Sequence, residues 1–147
     1  MLGLIIVLAT SFALRADDGN DVQKELKALE GRWKAVGMEA AGKSFPKDIL
    51  DFTFIVAANG KSTGQGPQGA YQATIAVNPQ KPQKTIDNLH ESGPQKGKKQ
   101  YGIYKLEGDK WTVCMTRPGV AESDRPKDFS TKDTANVVFV FERAKQD

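Results

Sequence analysis

Residues 100–115, QYGIYKLEGDKWTVCM, decide the fold because they contain the clearest hairpin signal in the chain. Apolar side chains recur at every second position in both halves, and Gly108-Asp109 separates the two halves. A period of two is typical of a β-strand with one buried face, and a short turn with glycine between two such runs is typical of a hairpin. The stretch therefore predicts two antiparallel strands.

The same alternation extends in both directions from this hairpin. Asn59-Gly60 is a strong signal for a two-residue turn, and the stretch that follows it is rich in glycine and predicts a short edge strand with bulges. Further strands are predicted over residues 33–39, 52–56, 61–69, 71–77, 84–91 and 136–143. Together with the hairpin, these strands predict an all-β fold, an antiparallel up-and-down barrel of about eight strands.

One short helix is predicted before the strands, over residues 21–30. Val22, Leu26 and Leu29 recur at helical spacing, and Gly31 follows as a stop signal. A helix of this length is marginal alone, so it must pack against the barrel.

The N-terminal residues 1–16 have the pattern of a secretory signal peptide. The apolar run of residues 2–14 is too short for a stable transmembrane anchor, and small and acidic residues follow it. The run is not preceded by Lys or Arg, so a retained N-terminal anchor stays an alternative. We expect residues 1–16 to direct export and residues 17–147 to form one domain without a membrane span.

The bulk composition excludes several classes of protein. Hydrophobic residues make up 39% and charged residues 27% of the 147 residues, which is typical of a folded domain rather than a disordered chain. The formal net charge of +3 is too small to indicate a nucleic-acid partner.

The junction of helix and first strand carries the most specific local pattern. Gly31 and Trp33 resemble the G-x-W signature of lipocalins. That resemblance implies that Trp33 plugs one end of the barrel and that Arg143, on the last strand, packs across the indole. The role of these three residues is then structural.

The resemblance extends over nearly all of the chain after the signal peptide. The chain resembles an exported, lipocalin-like domain family that is abundant in planctomycete bacteria, with Trp111 where that family leads us to expect Leu. The matching stretches are residues 29–34 (LEGRWK), 52–54 (FTF), 81–87 (KPQKTID), 102–109 (GIYKLEGD) and 125–130 (RPKDFS). The resemblance implies a signal peptide and a barrel. It implies no reaction, because the family has no assigned activity.

The sequence nominates no catalytic or metal-binding residues and no cofactor. His90 is the only histidine, and we interpret it as a partly exposed strand residue, because a Ser–His pair needs an orienting acid and an oxyanion hole. Residues 64–69 match G-x-G-x-x-G, but Pro67 interrupts them and no helix follows, so we interpret them as a flexible loop. Cys114 is the only cysteine and alternates to the outer face, where a small buried hydrophobe and a reactive thiol both stay open.

Two functional hypotheses follow. The first is a barrel that binds a small apolar ligand, although inward residues can equally fill a solid core. Its candidate ligand-binding residues are Phe54, Tyr71, Ile75, Tyr104, Trp111, Met115 and Phe139. The second is a cell-envelope structural or interaction protein whose long polar loop, residues 117–134, presents a partner surface. An enzyme is the third hypothesis, because the sequence nominates no convergent polar groups for catalysis.

Overall fold

The computed structural model describes residues 17–80 and 82–145, so the predicted signal peptide lies outside the described residues. Within these described residues, a short helix precedes nine strands. The helix is α1 (Asp17–Leu29), and the strands are β1 (Gly31–Ala40), β2 (Lys43–Phe45), β3 (Thr53–Val56), β4 (Lys61–Gly66), β5 (Gly69–Asn78), β6 (Thr85–His90), β7 (Lys99–Glu107), β8 (Lys110–Met115) and β9 (Val137–Arg143).

Eight of these strands form a closed antiparallel barrel, which confirms the predicted fold class. The hydrogen-bonded order is β1-β3-β4-β5-β6-β7-β8-β9, and β9 pairs back onto β1 from Trp33↔Arg143 to Ala40↔Val137. Neighbours in space are thus neighbours along the chain, as in an up-and-down barrel. The sequence did not predict β2, which only extends β1 as a small hairpin.

The glycine-rich residues 64–69 are not a flexible loop, and β4 is not an edge strand. Gly64 and Gly66 belong to β4, which pairs with β3 on one side and β5 on the other. An ideal Cβ at Gly64 would lie 2.3 Å from the Tyr71 ring. The absent side chain therefore lets that ring lie flat against the barrel wall.

Helix α1 closes one end of the barrel, here called the closed end. Leu26 and Leu29 are buried, and the indole of Trp33 is fully buried and donates to the carbonyl of Leu29 at 2.8 Å. The Arg143 guanidinium lies 4.3 Å from the Trp33 ring centre and donates to the carbonyls of Ala28 and Glu30. The contact that the G-x-W resemblance implied is present.

The loop after β8 lies across the outer face of the barrel. Arg125 donates to the carbonyls of Ile86 and Gly102 and pairs with Asp87 at 2.6 Å. Phe129 packs on a small cluster that includes Cys114. A partner-binding role for this loop stays a prediction, and its surface is limited to the side chains that point away from the barrel.

Cys114 points to the outer face, as the alternation predicted, but the loop buries it completely. Burial raises the pKa of the thiol to about 11, and Asp128 and Glu39 add to the rise. The thiol is therefore protonated and covered near neutral pH, which favours the small buried hydrophobe over the reactive nucleophile.

No helix in the part of the chain that the structure describes is long and apolar enough to cross a bilayer.

Candidate ligand-binding site

A cavity of about 330 Å³ lies inside the barrel, toward the end opposite α1, here called the open end. Exposed Arg117 and half-buried Pro118 form part of its lining, so the cavity reaches the surface. Most of the remaining wall is apolar. Its aromatic members are Phe52, Phe54, Trp111, Phe139 and Phe141, together with Tyr71.

Six of the seven ligand-binding candidates from the sequence line this cavity, and Tyr104 is the exception. The phenol of Tyr104 donates to Glu25 of α1 at 2.9 Å, and Lys84 pairs with the same carboxylate oxygen at 2.7 Å. This inward residue thus joins the helix to the closed end. Alternation had identified its face but not its height along the barrel.

The aromatic wall is one continuous array of rings. The Phe52 ring centre lies 5.6 Å from that of Phe139, and the Phe141 ring centre lies 5.4 Å from that of Trp111. Trp111 also meets Trp33 edge-on at 5.5 Å, so the array extends from the cavity to the closed end. Rings at these separations present flat, rigid surfaces to whatever fills the cavity.

A polar cluster that the sequence analysis missed faces this array from β6 and β7. Gln100 donates through Nε2 to the carbonyl of Thr116 at 3.0 Å. Its Oε1 accepts from Asn88 Nδ2 at 3.1 Å and lies 2.7 Å from His90 Nε2. The sequence held one signal for this cluster, because Asn88 and His90 alternate onto the same face of β6 as the apolar Ile86.

The interpretation of His90 as a partly exposed strand residue is wrong. Its relative exposure is 7%, and its ring stacks on Tyr71 with 4.8 Å between the ring centres. Burial raises the pKa of Tyr71 to about 12, against a smaller lowering by the Asn88 amide. Tyr71 therefore stays an uncharged phenol throughout the neutral range.

Two buried polar atoms of the cavity lining have no hydrogen-bond partner among the described residues, Asn88 Oδ1 and Trp111 Nε1. Their residues are 6% and 2% exposed. A buried polar group without a partner costs about 1–3 kcal/mol. Each of these two atoms is therefore a hydrogen-bonding group that the described residues leave unused.

Two arrangements that support catalysis, a Ser–His pair and a metal-ligand group, can be checked among the described residues. Ser92 does not pair with His90; its Oγ accepts from the backbone of Gln72 at 2.7 Å. Among residues 17–80 and 82–145, no three His, Cys, Asp or Glu side chains are grouped as metal ligands. Arg117 is the only charged side chain in the described cavity wall, and it is exposed.

Comparisons of the chain with protein-family models, with curated proteins and with solved structures found no match.

Proposed function

We propose that this protein is an exported, lipocalin-like carrier or sensor that binds one small, largely apolar molecule inside its barrel. The observation that carries this proposal is the cavity of about 330 Å³ with its aromatic wall. Ligand pockets in proteins begin at about 300 Å³ and are lined mainly by apolar and aromatic side chains with a few polar groups. The lining described above has this composition.

The size of the cavity argues against the alternative in which the inward side chains fill a solid core. Native interiors are close-packed, and voids larger than a water molecule are few. At about 30 Å³ per water, the space corresponds to roughly ten water molecules. A space of that size supports a hollow barrel with an occupant.

The proposal is tested by titration with N-phenyl-1-naphthylamine, an uncharged apolar dye whose emission rises in apolar surroundings. We expect saturable binding of one dye per chain. Ile75 lies in the cavity wall and its neighbour Ala76 is exposed on the outer face, so the two residues provide a matched pair of variants. Ile75→Trp fills the cavity, and we expect it to weaken dye binding by at least about tenfold, whereas Ala76→Trp leaves it unchanged.

The outcome is decided on folded protein, verified for each variant by circular dichroism and urea unfolding. Equal affinity in Ile75→Trp and Ala76→Trp, or uptake that never saturates, would contradict binding inside the barrel.

A further inference from the structure

The hydrogen bonds of the polar cluster determine which atom of Asn88 is left free. The carbonyl of Thr116 can only accept, so the group of Gln100 that faces it must be the NH₂ group. Gln100 Oε1 then faces Asn88, and this in turn requires the NH₂ group of Asn88 on that side. Asn88 Oδ1 is consequently the atom without a partner.

His90 leaves this assignment unchanged. Its Nε2 lies 2.7 Å from Gln100 Oε1, which is an acceptor, so Nε2 carries a proton and donates. Gln100 Oε1 thereby receives two donors, one from Asn88 and one from His90. Both of its lone pairs are used, and Asn88, a residue that lines the cavity, keeps one buried acceptor with no partner among the described residues.

We propose that the occupant of the cavity is an uncharged ring compound that donates a hydroxyl or N–H hydrogen to Asn88 Oδ1. This inference rests on the proposed function and specifies its ligand class. A group that only accepts, such as an ether or a carboxylate, would place oxygen against oxygen at Asn88 and leave the acceptor unsatisfied.

The requirement that the occupant be uncharged follows from the residues in the described wall of the cavity. Its buried polar residues, Asn88, His90 and Thr116, belong to the hydrogen-bonded cluster, and its one cationic residue, Arg117, is exposed to water. An ionised group taken into such a cavity would lose its hydration without a buried counter-charge, which is strongly unfavourable. A neutral donor loses less and gains the bond to Asn88.

The requirement that the occupant contain a ring follows from the aromatic array opposite the polar cluster. Phe52, Phe139 and Phe141 stack or tilt against one another with centres 5.6–6.0 Å apart. Flat rings pack against such surfaces in offset or edge-on contacts, whereas a flexible chain loses more conformational freedom on binding. Trp111 Nε1, an unpaired donor nearer to the closed end, suits an acceptor on the far side of the same ring compound.

The test compares three probes that share one ring system. 2-Naphthol is uncharged near neutral pH and has a hydroxyl donor, 2-methoxynaphthalene has the oxygen without the donor, and 2-naphthoate is an anion. We expect the full-length folded protein to bind 2-naphthol at least about tenfold more tightly than either of the other two. Isothermal titration calorimetry at neutral pH measures all three affinities.

Asn88→Leu removes the acceptor while keeping the approximate size of the side chain. In this variant we expect 2-naphthol and 2-methoxynaphthalene to bind with affinities equal to within about threefold. Gln72→Leu is the matched control, because Gln72 is exposed on the outer face, and it should retain the tenfold preference. Binding of 2-methoxynaphthalene by Asn88→Leu also verifies that its cavity is intact.

The outcomes separate this inference from the proposed function. Equal binding of 2-naphthol and 2-methoxynaphthalene by the unaltered protein overturns the donor requirement but keeps the binding function. Preference for 2-naphthoate overturns the uncharged class. If none of the three probes binds and N-phenyl-1-naphthylamine also fails to bind, the proposed function fails together with the inference. A preference for 2-naphthol that persists in Asn88→Leu overturns the role of Asn88.

Discussion

Similar aromatic and polar residues occur at both ends of the barrel, but the two ends differ in how fully those residues are packed and hydrogen-bonded. At the closed end, Trp33 Nε1 donates to Leu29, and Arg143 donates to the carbonyls of Ala28 and Glu30 and to Asp109. At the open end, a polar cluster on one side of a mostly apolar cavity leaves Asn88 Oδ1 without a partner among the described residues. The polar groups named at the closed end are all hydrogen-bonded, whereas the site proposed at the open end keeps an unused acceptor.

The difference shows where stability and binding are located in the molecule. Fully packed and paired groups stabilise the native state, while a cavity and an unpaired polar group each lower its stability. The closed end therefore offsets the loss of stability that comes from the cavity and the unpaired group at the open end. Substitutions at the closed end should change the free energy of unfolding, and substitutions at the open end should change ligand affinity.

The largest expected effect is at the closed end. Trp33→Ala removes a fully buried indole that packs against Trp111 and Arg143. Such truncations of buried aromatic residues cost about 3–5 kcal/mol. Urea unfolding followed by circular dichroism measures the change. A loss of less than about 1 kcal/mol in the free energy of unfolding would show that the closed end contributes little to the stability of the fold.

The next effect tests the wall between the two ends. Gly64→Ala places a methyl group 2.3–2.6 Å from atoms of the Tyr71 ring, so the ring must leave its position. Overpacking of this kind costs about 1–3 kcal/mol, and it should also weaken dye binding because Tyr71 lines the cavity. Gly19→Ala is the control: nothing lies within 4 Å of its added methyl group, and alanine favours helices. Equal effects of the two substitutions on urea unfolding would contradict the close approach.

Alkaline pH tests the burial of Tyr71, Tyr104 and Cys114 together, and Cys114 on the outer face accounts for most of the change expected up to pH 10. Burial raises the pKa of Tyr71 from 10.0 to about 12 and that of Cys114 from 9.0 to about 11, and burial and Glu25 raise the pKa of Tyr104. The unfolded chain therefore loses these protons first, and stability falls as the pH rises above about 9. We expect a loss of roughly 2 kcal/mol by pH 10.

Urea unfolding at pH 8, 9 and 10 measures this slope. Tyr71→Phe and Tyr104→Phe should each reduce it, which assigns the contributions to the open and the closed end. A stability that is constant or rises over this range would contradict the burial of these groups.

The smallest expected effect distinguishes geometry from charge at the closed end. Arg143→Lys keeps the positive charge but cannot reach two carbonyls and Asp109 while it covers Trp33. We expect a loss of about 1 kcal/mol on urea unfolding, with dye binding unchanged. An unaltered free energy of unfolding would show that charge alone suffices there.

The sequence by itself determined the class of fold and the architecture of the closed end. Alternation of period two identifies which side chains share a face, so the strands and six of the residues that line the cavity could be predicted from it. The G-x-W pattern, through its resemblance to lipocalins, also placed Trp33 against Arg143, two residues that are paired in register between β1 and β9.

Only the tertiary structure decided where each inward residue lies along the barrel axis, which segment covers the outer face and which polar groups contact one another. Tyr104 and Tyr71 alternate in the same way, yet one joins α1 and the other lines the cavity. Cys114 is buried by a loop whose path has no periodicity to reveal it. Asn88, His90 and Gln100 meet because β6 and β7 pair in one particular register. Local alternation defines a face, but only closure of the barrel brings faces from distant strands together and leaves a space between them.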